Sequence, residues 1–269
     1  MESTGRNITR LPMRREGDPD DKEFMTTLAK GLAVLGAFGR QRPTMTLSQA
    51  AEVAELSRAT ARRVLRTLSM LGYVEQDGRA FSLSPRILDF GFAYLSSQSW
   101  IDRALPLMRE LSERVGESCS AAILQGNDVV YVARVPARRI MSATLSVGSR
   151  LPALHTALGR ILFGHLDAAE IWRRLKSQRV EAYTPQSIID LQALFDRIRA
   201  DHDQGFSIVD EELELGLRAL AVPVMDRTGQ AIGAINLSTH STRTTRNEMR
   251  ERYLPELNRI ARQVASMTF

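Results

Sequence analysis

Arg58, Arg62, Arg63 and Arg66 fall within a stretch that contains no acid. At about 100° per residue, Arg58, Arg62, Arg66 and Ser69 share one arc of a helix, while Ala61, Val64, Leu65, Leu68 and Leu71 share another. Guanidinium groups on one helical face can meet phosphates and the acceptor edge of guanine. A helix whose opposite face packs on its own domain can carry them into a DNA major groove. A solvated surface helix shows the same basic arc, so the neighbouring elements decide between the two.

Those neighbours point to DNA. Ser57 suits an N-cap and Gly72 a stop for a helix over residues 57–71. Leu28, Leu32, Leu35 and Phe38 predict an earlier helix ending near Gly39, and Leu47, Ala50, Ala51 and Ala54 predict a short one capped by Thr46. Residues 73–83 form two short apolar runs around Asp77-Gly78, a hairpin signal, with Arg79 in its turn. Three helices and a hairpin make a winged helix-turn-helix over residues 24–84. Its expected DNA contacts are Thr46, Ser57, Arg58, Thr60, Arg62, Arg63, Arg66 and Arg79, the hydroxyls and helix N-terminus serving phosphates.

Residues 1–23 mix charges with glycine and proline and are expected to be a mobile tail. After Pro85, residues Ile87, Leu88, Gly91, Tyr94 and Leu95 predict a linker helix within residues 85–100. The remaining residues, 101–269, predict helices over 104–115, 156–165, 168–174, 188–202 and 245–267. Strands are expected over 120–124 and 129–135, joined at Gly126-Asn127, near 142–147, and over 206–209, 219–225 and 231–239. This is an α+β domain with a mainly antiparallel sheet.

In the strand over 129–135, alternation places Val130, Val132 and Arg134 on one face and Val129, Tyr131, Ala133 and Val135 on the other. Arg134 could hold a ligand carboxylate bidentately or serve an internal ion pair. Asn236 and Ser238 alternate with Ile235 and Leu237, so one face of that strand offers two hydrogen-bonding side chains.

Composition narrows the classes. Forty-three percent apolar and 25% charged residues suit a globular chain, and the single cysteine, Cys119, reads as a small core residue. No stretch approaches the roughly 18 apolar residues of a membrane helix, and no secretory signal is evident, so a cytoplasmic location without membrane contact is expected. The net charge of +5 is spread as 14 Lys and Arg against 11 Asp and Glu in residues 1–100, and 22 against 20 in residues 101–269. His155, His165, His202 and His240 lack metal-ligand spacing, and no Gly-rich phosphate loop occurs, so neither metal nor cofactor is expected. The acidic run over residues 210–214 reads as a solvated turn before a strand. With no tight nucleophile and base, catalysis is not expected.

The run Thr46-Leu47-Ser48-Gln49-Ala50-Ala51, the segment from Ser57 through Arg62, Arg63 and Arg66 to Leu68, and Leu71-Gly72-Tyr73-Val74 resemble the DNA-binding domain of IclR-type bacterial transcription regulators. Ser146-Val147-Gly148-Ser149-Arg150-Leu151-Pro152, Gly159-Arg160, Asp210-Glu211-Glu212, Gly216 and Ala221-Val222-Pro223 resemble that family's effector domain in the same order. Val130 to Pro136, Arg138-Arg139-Ile140-Met141 and Ile235-Asn236-Leu237-Ser238-Thr239 look most like the regulators of the β-ketoadipate pathway, which answer to protocatechuate, 4-hydroxybenzoate or β-ketoadipate.

The resemblance implies a GAF- or profilin-like effector domain whose curved sheet holds a small carboxylic acid. Carried over by motif, Ala157, Leu158, Leu217, Ala219, Asn236 and Ser238 would line that pocket. Some relatives place serine at Asn236, cysteine at Ala219 and an acid at Val209. The departures disfavour glyoxylate or pyruvate and leave room for a ring-bearing or longer acid. The resemblance also implies a homodimer on a double-stranded operator, joined through the first helix and residues 87–95, with effector domains able to pair dimers into tetramers. Two alternatives stand beside it: the same architecture serving acetate or sugar-acid use, and an enzyme acting on a small acid.

Overall fold

The computed structural model describes residues 23–137 and 145–266, and its contacts divide the chain at Tyr94/Leu95. Four of the expectations above reach residues outside that description: the tail through residue 22, Arg138 to Met141, the first part of the strand near 142–147, and the last residue of the helix over 245–267.

In the first unit, α1 (Thr26–Ala37), α2 (Leu47–Val53) and α3 (Arg58–Met70) enclose a core of Val34, Met45, Ala50, Leu65 and Val74. Thr46 caps α2 in a reciprocal box with Gln49, so two backbone donors that α2 could not satisfy are used. Glu55 takes a left-handed φ of 55° and turns the chain between α2 and α3. Small Ala50, Ala54 and Ala61, all buried, leave room for that close crossing. The expected hairpin is β2 (Val74–Asp77) and β3 (Ala80–Leu83), and β1 (Thr44–Thr46) adds an unforeseen strand in the order β1-β3-β2. Register sets Thr46 opposite Ala80, which brings the cap of α2 to the hairpin turn.

A 3-10 turn, Pro85–Ile87, leads into α4 (Leu88–Ser96), and the division between units falls inside this helix. The second unit therefore begins before residue 101. Helix α5 (Ser99–Val115) likewise starts ahead of the expected 104, because Trp100 and Ile101 are core residues.

Six antiparallel strands follow: β4 (Ser118–Gln125), β5 (Asp128–Val135), β6 (Arg150–Pro152), β7 (Ser207–Asp210), β8 (Leu217–Met225) and β9 (Ala231–His240), in the order β6-β5-β4-β9-β8-β7. One sheet face packs Leu220, Val222, Ile235 and Leu237 on α5 and α10 (Leu254–Ser266). The other packs Tyr131, Ala219, Ala221 and Ala234 on α6 (Ala157–Gly164), α7 (Ala168–Lys176) and α8 (Leu191–Gln204).

Several boundaries move for identifiable reasons. Asp190 accepts from the Ala193 amide at 2.8 Å and starts α8 three residues after the expected 188. Residues 145–147 carry no strand, and the edge strand β6 comes later. The helix expected over 245–267 is α9 (Arg246–Glu248), a π turn over Met249–Tyr253, and then α10, since Pro255 supplies no N–H to the turn before it. Among the described residues no helix is long and apolar enough to cross a membrane.

Candidate functional site

In the first unit the site is built on α3. Burial of Ala61, Val64, Leu65 and Leu68 fixes which face turns outward. Ser57 caps the helix, its Oγ accepting from the Thr60 amide at 3.2 Å and lying 2.9 Å from Thr60 Oγ1. Arg58, Arg62, Arg63 and Arg66 are exposed, and none pairs with an acid among the described residues. On the helical wheel Arg63 lies beside Arg66, toward the middle of the outward face, while Arg58 and Arg62 border its edge. Arg79 is exposed in the hairpin turn, next in sequence to Ala80, which faces Thr46 across the sheet. All eight expected DNA contacts thus belong to three adjoining places: the cap of α2, α3 and the hairpin tip. Arg86 is different, because its guanidinium donates to the Leu71 carbonyl at 2.7 Å and lies over the Tyr73 ring. Though exposed, it is committed to the end of α3.

In the second unit one geometric feature overturns the expected strand faces. Pairing of β4 with β5 shifts between Ala121 and Ala122, so Ala121 faces Ala133 while Ala122 faces Tyr131, and Val132 is the extra residue of a β-bulge. Val132 and Ala133 both pack toward α5 and α10, whereas Val129 and Tyr131 pack toward α6. Arg134 therefore shares its face with Val129 and Tyr131, not with Val130 and Val132. Across the sheet Arg134 sits opposite Ser120, Ser120 opposite Asn236, and Asn236 opposite Ala221, a polar row on the face that α6 covers.

Arg134 is half-buried and donates to Ser120 Oγ at 3.2 Å, but no carboxylate among the described residues pairs with it. Burial lowers its pKa, and the nearby Tyr131 partly offsets this. The same burial pushes the Tyr131 hydroxyl up to about 12, against the pull of Arg134. Asn236 is 3% exposed; its Nδ2 donates to Ser238 Oγ at 3.1 Å, while its Oδ1 is buried without a partner. Ser238 faces Ala219 across the sheet, and Leu217 begins the same strand two residues before Ala219. Ala157 and Leu158 open α6 and belong with Ala219 and Tyr131 to one apolar cluster. The seven expected effector residues thus fall on one sheet face or on the helix end over it. Ser120 and Tyr131 join them. Neither stood out in the sequence, because the bulge that aligns them carries no glycine or proline.

The acidic run is not a solvated turn throughout. Glu212 is buried and takes a bidentate pair from Arg160, which is fully buried: Nη1 lies 2.8 Å from Oε1, and Nη2 meets Oε2. Arg160 Nε donates to the Leu154 carbonyl at 3.1 Å. Burial alone would raise the Glu212 carboxyl; His155 and Arg160 beside it outweigh that and hold it at about 2. The same region needs Gly159, since a Cβ there would fall 2.2 Å from the Ala153 carbonyl oxygen. Cys119 is fully buried and its thiol is pushed up by burial, in keeping with a core role.

A winged helix whose outward arginines meet no acid among the described residues, joined to a domain whose sheet holds a half-buried arginine likewise without a described carboxylate partner, fits the class of ligand-responsive DNA-binding regulators. The chain belongs to the IclR family of bacterial transcriptional regulators: the IclR helix-turn-helix domain matches residues 27–78, and the bacterial transcriptional regulator IclR C-terminal domain matches residues 92–266. It is 42% identical to the Pca regulon regulatory protein of Pseudomonas putida, over 94% of this chain and 86% of that protein. It is 32% identical to the p-hydroxybenzoate hydroxylase transcriptional activator of Acinetobacter baylyi, over 91% of this chain and 93% of that one. A solved transcriptional regulator from Rhodococcus sp. RHA1 superposes with a TM-score of 0.80 at 39% identity, covering 90% of this chain and 98% of the other.

Proposed function

We propose that this regulator controls genes for the breakdown of aromatic acids, and that a hydroxylated aromatic carboxylic acid, such as 4-hydroxybenzoate or protocatechuate, changes its hold on a double-stranded operator. The observation that carries the reading is Arg134: a half-buried guanidinium with Ser120 beside it and no acid paired with it among the described residues, on the face that also presents Asn236 and Ser238. A buried cation left uncompensated is costly, and a ligand carboxylate removes that cost. Ala157, Leu158 and Ala219, with Leu217 two residues before Ala219 in the same strand, supply the apolar wall for a ring, and the hydroxyl of the ring satisfies the unpartnered end of the Asn236 amide. The relatives from Pseudomonas putida and Acinetobacter baylyi support the aromatic class.

On the operator, Arg58, Arg62, Arg63 and Arg66 meet base edges and phosphates, Thr46, Ser57 and Thr60 serve phosphates, and Arg79 reaches the adjoining backbone from the hairpin tip. The protein acts in the cytoplasm as a homodimer, so that two copies of α3 meet successive half-sites.

A thermal-shift series on the full chain tests the effector class, because a ligand of the native state raises the melting temperature. The arms are 4-hydroxybenzoate, protocatechuate, β-ketoadipate, glyoxylate and a sugar acid. Stabilisation by the ring acids, with a matching change in operator affinity, is expected. Stabilisation by glyoxylate or the sugar acid alone overturns the proposal.

A further inference from the structure

The chain leaving α3 is tied to the chain entering α4 at three successive carbonyls. The Leu71 carbonyl accepts from Arg86 Nη1 at 2.7 Å, the Gly72 carbonyl from Ser84 Oγ, and the Tyr73 carbonyl from the Ser84 amide at 3.0 Å. Ser84 is buried, and its Oγ also accepts from the Arg86 amide at 3.2 Å. Gly72 takes a left-handed φ of 78°, and a Cβ there would fall 3.3 Å from Arg86 Nη1, so its bare backbone admits the guanidinium. Between the two tying residues, the ring of Pro85 fixes one more dihedral.

Aromatic contacts carry the joint into α4. The Arg86 guanidinium lies 5.1 Å from the centroid of the Tyr73 ring, and that ring stacks on Phe90 with centroids 5.4 Å apart and planes inclined by 27°. Tyr73 in turn packs against the core that seats α3. At about 100° per residue, Phe90 lies about 160° around α4 from both Leu88 and Phe92. One side of α4 therefore meets the end of α3, while the opposite side presents two exposed apolar residues.

We infer that Ser84, Arg86 and Phe90 are positioning residues: they lock α3 to α4 at one angle, and in a dimer covered on the Leu88 and Phe92 side they set the half-site spacing that the protein accepts. The inference rests on the operator-bound dimer proposed above. Inserting one base pair between half-sites moves one of them about 3.4 Å along the duplex and about 35° around it. A hinge between α3 and α4 would follow that movement. A joint held at three carbonyls and a ring stack cannot follow it without breaking contacts.

The test uses a duplex that the full chain selects from a random pool, the same duplex with one or two base pairs inserted between its half-sites, and a duplex with one half-site alone. Fluorescence anisotropy at matched salt reads each affinity, and sedimentation velocity the oligomeric state. The parent should bind the altered spacings about tenfold or more weakly than its own. Arg86→Ala with Phe90→Ala, both at exposed positions, should shrink that preference to about threefold or less while staying dimeric. Its affinity and salt slope on the single half-site should stay within about twofold of the parent, since neither side chain is assigned to DNA. Phe90→Ala alone should fall between the two, and Arg86→Lys, which keeps a cation and a donor near Tyr73, should retain most of the preference. A double variant that discriminates spacings as the parent does overturns the inference. So does one that loses single half-site affinity, because the reader itself is then damaged. A parent that binds every spacing and the single half-site equally removes the dimer reading, and the joint's role with it.

Discussion

Replacing Glu212 by Gln keeps the shape of the side chain and removes its charge, which isolates what the pair with Arg160 contributes. The folded carboxyl lies at about 2 against an ordinary value of 4.5, with the side chain only 9% exposed. At about 1.4 kcal/mol per pKa unit, that depression corresponds to about 3 kcal/mol of stability in the charged pair. The substitution also leaves the Arg160 guanidinium buried without an anion, a defect that costs about 3 to 5 kcal/mol in comparable pairs. Because the folded pKa is depressed, the contribution is complete above about 4.5 and is lost as pH falls toward about 2. Urea unfolding followed by the fluorescence of Trp100 and Trp172, both in the second unit, reads it directly. The variant should be about 3 kcal/mol less stable at pH 7, and the gap should narrow below pH 4.5. A loss under about 1 kcal/mol, or a gap that stays constant with pH, refutes the reasoning.

Arg62→Ala should weaken operator binding by about 1 to 3 kcal/mol if the side chain reads a base, or lower the salt slope by about one if it meets a phosphate; unchanged affinity and slope by fluorescence anisotropy at matched salt remove it from the interface. Arg134→Leu should weaken 4-hydroxybenzoate by about 1.5 to 3 kcal/mol, the range for a hydrogen bond to a charged group, with operator binding retained; a ligand titration like the parent's makes Arg134 a structural residue. Gly159→Ala drives a methyl against the Ala153 backbone, so destabilisation of about 1 to 3 kcal/mol is expected in urea, and an unshifted midpoint contradicts the packing argument.

The first unit was legible because its signals are local. Ser57, Thr46 and Gly72 mark helix ends by their own chemistry, and the apolar spacing of Ala61, Val64, Leu65 and Leu68 fixes the face of α3 without knowledge of any distant residue. The third strand of the wing escaped because Thr44–Thr46 is too short to show a period. In the second unit the same alternation rule failed at Arg134. The rule assumes one residue per position, and the bulge at Val132 adds one without any change in residue type. The other residues expected around it were taken from motif resemblance, which reports residues rather than register, and they fall on one sheet face or on the helix end over it. Glu212 was misread for a related reason. Its partner Arg160 is distant in sequence, and an acidic run looks solvated until the fold brings a buried guanidinium to one member of it.

The proposed dimer draws support from exposure in the first unit. Leu28 and Leu32, one turn apart on α1, are 58% and 50% exposed, and Leu88 and Phe92, one turn apart on α4, are 69% and 74% exposed. Scattered exposed leucines need no explanation, but α1 and α4 each show a pair of large apolar side chains, while the charged face of the unit lies on α3. Burying a side chain of this size contributes about 1.5 to 3 kcal/mol. Four on each of two copies give about 12 to 24 kcal/mol for complete burial, enough to offset an association cost of about 4 to 15 kcal/mol only if most of that surface is covered. A second copy is the natural cover because a two-fold pair matches two half-sites of an operator. Leu32→Glu with Leu88→Glu should therefore yield a monomer in sedimentation velocity, one that still folds because both positions face solvent. Its operator affinity should fall and its salt slope should roughly halve, since only one α3 engages. A variant that remains dimeric, or a monomer that binds the operator as tightly as the parent does, would remove these helices from the interface.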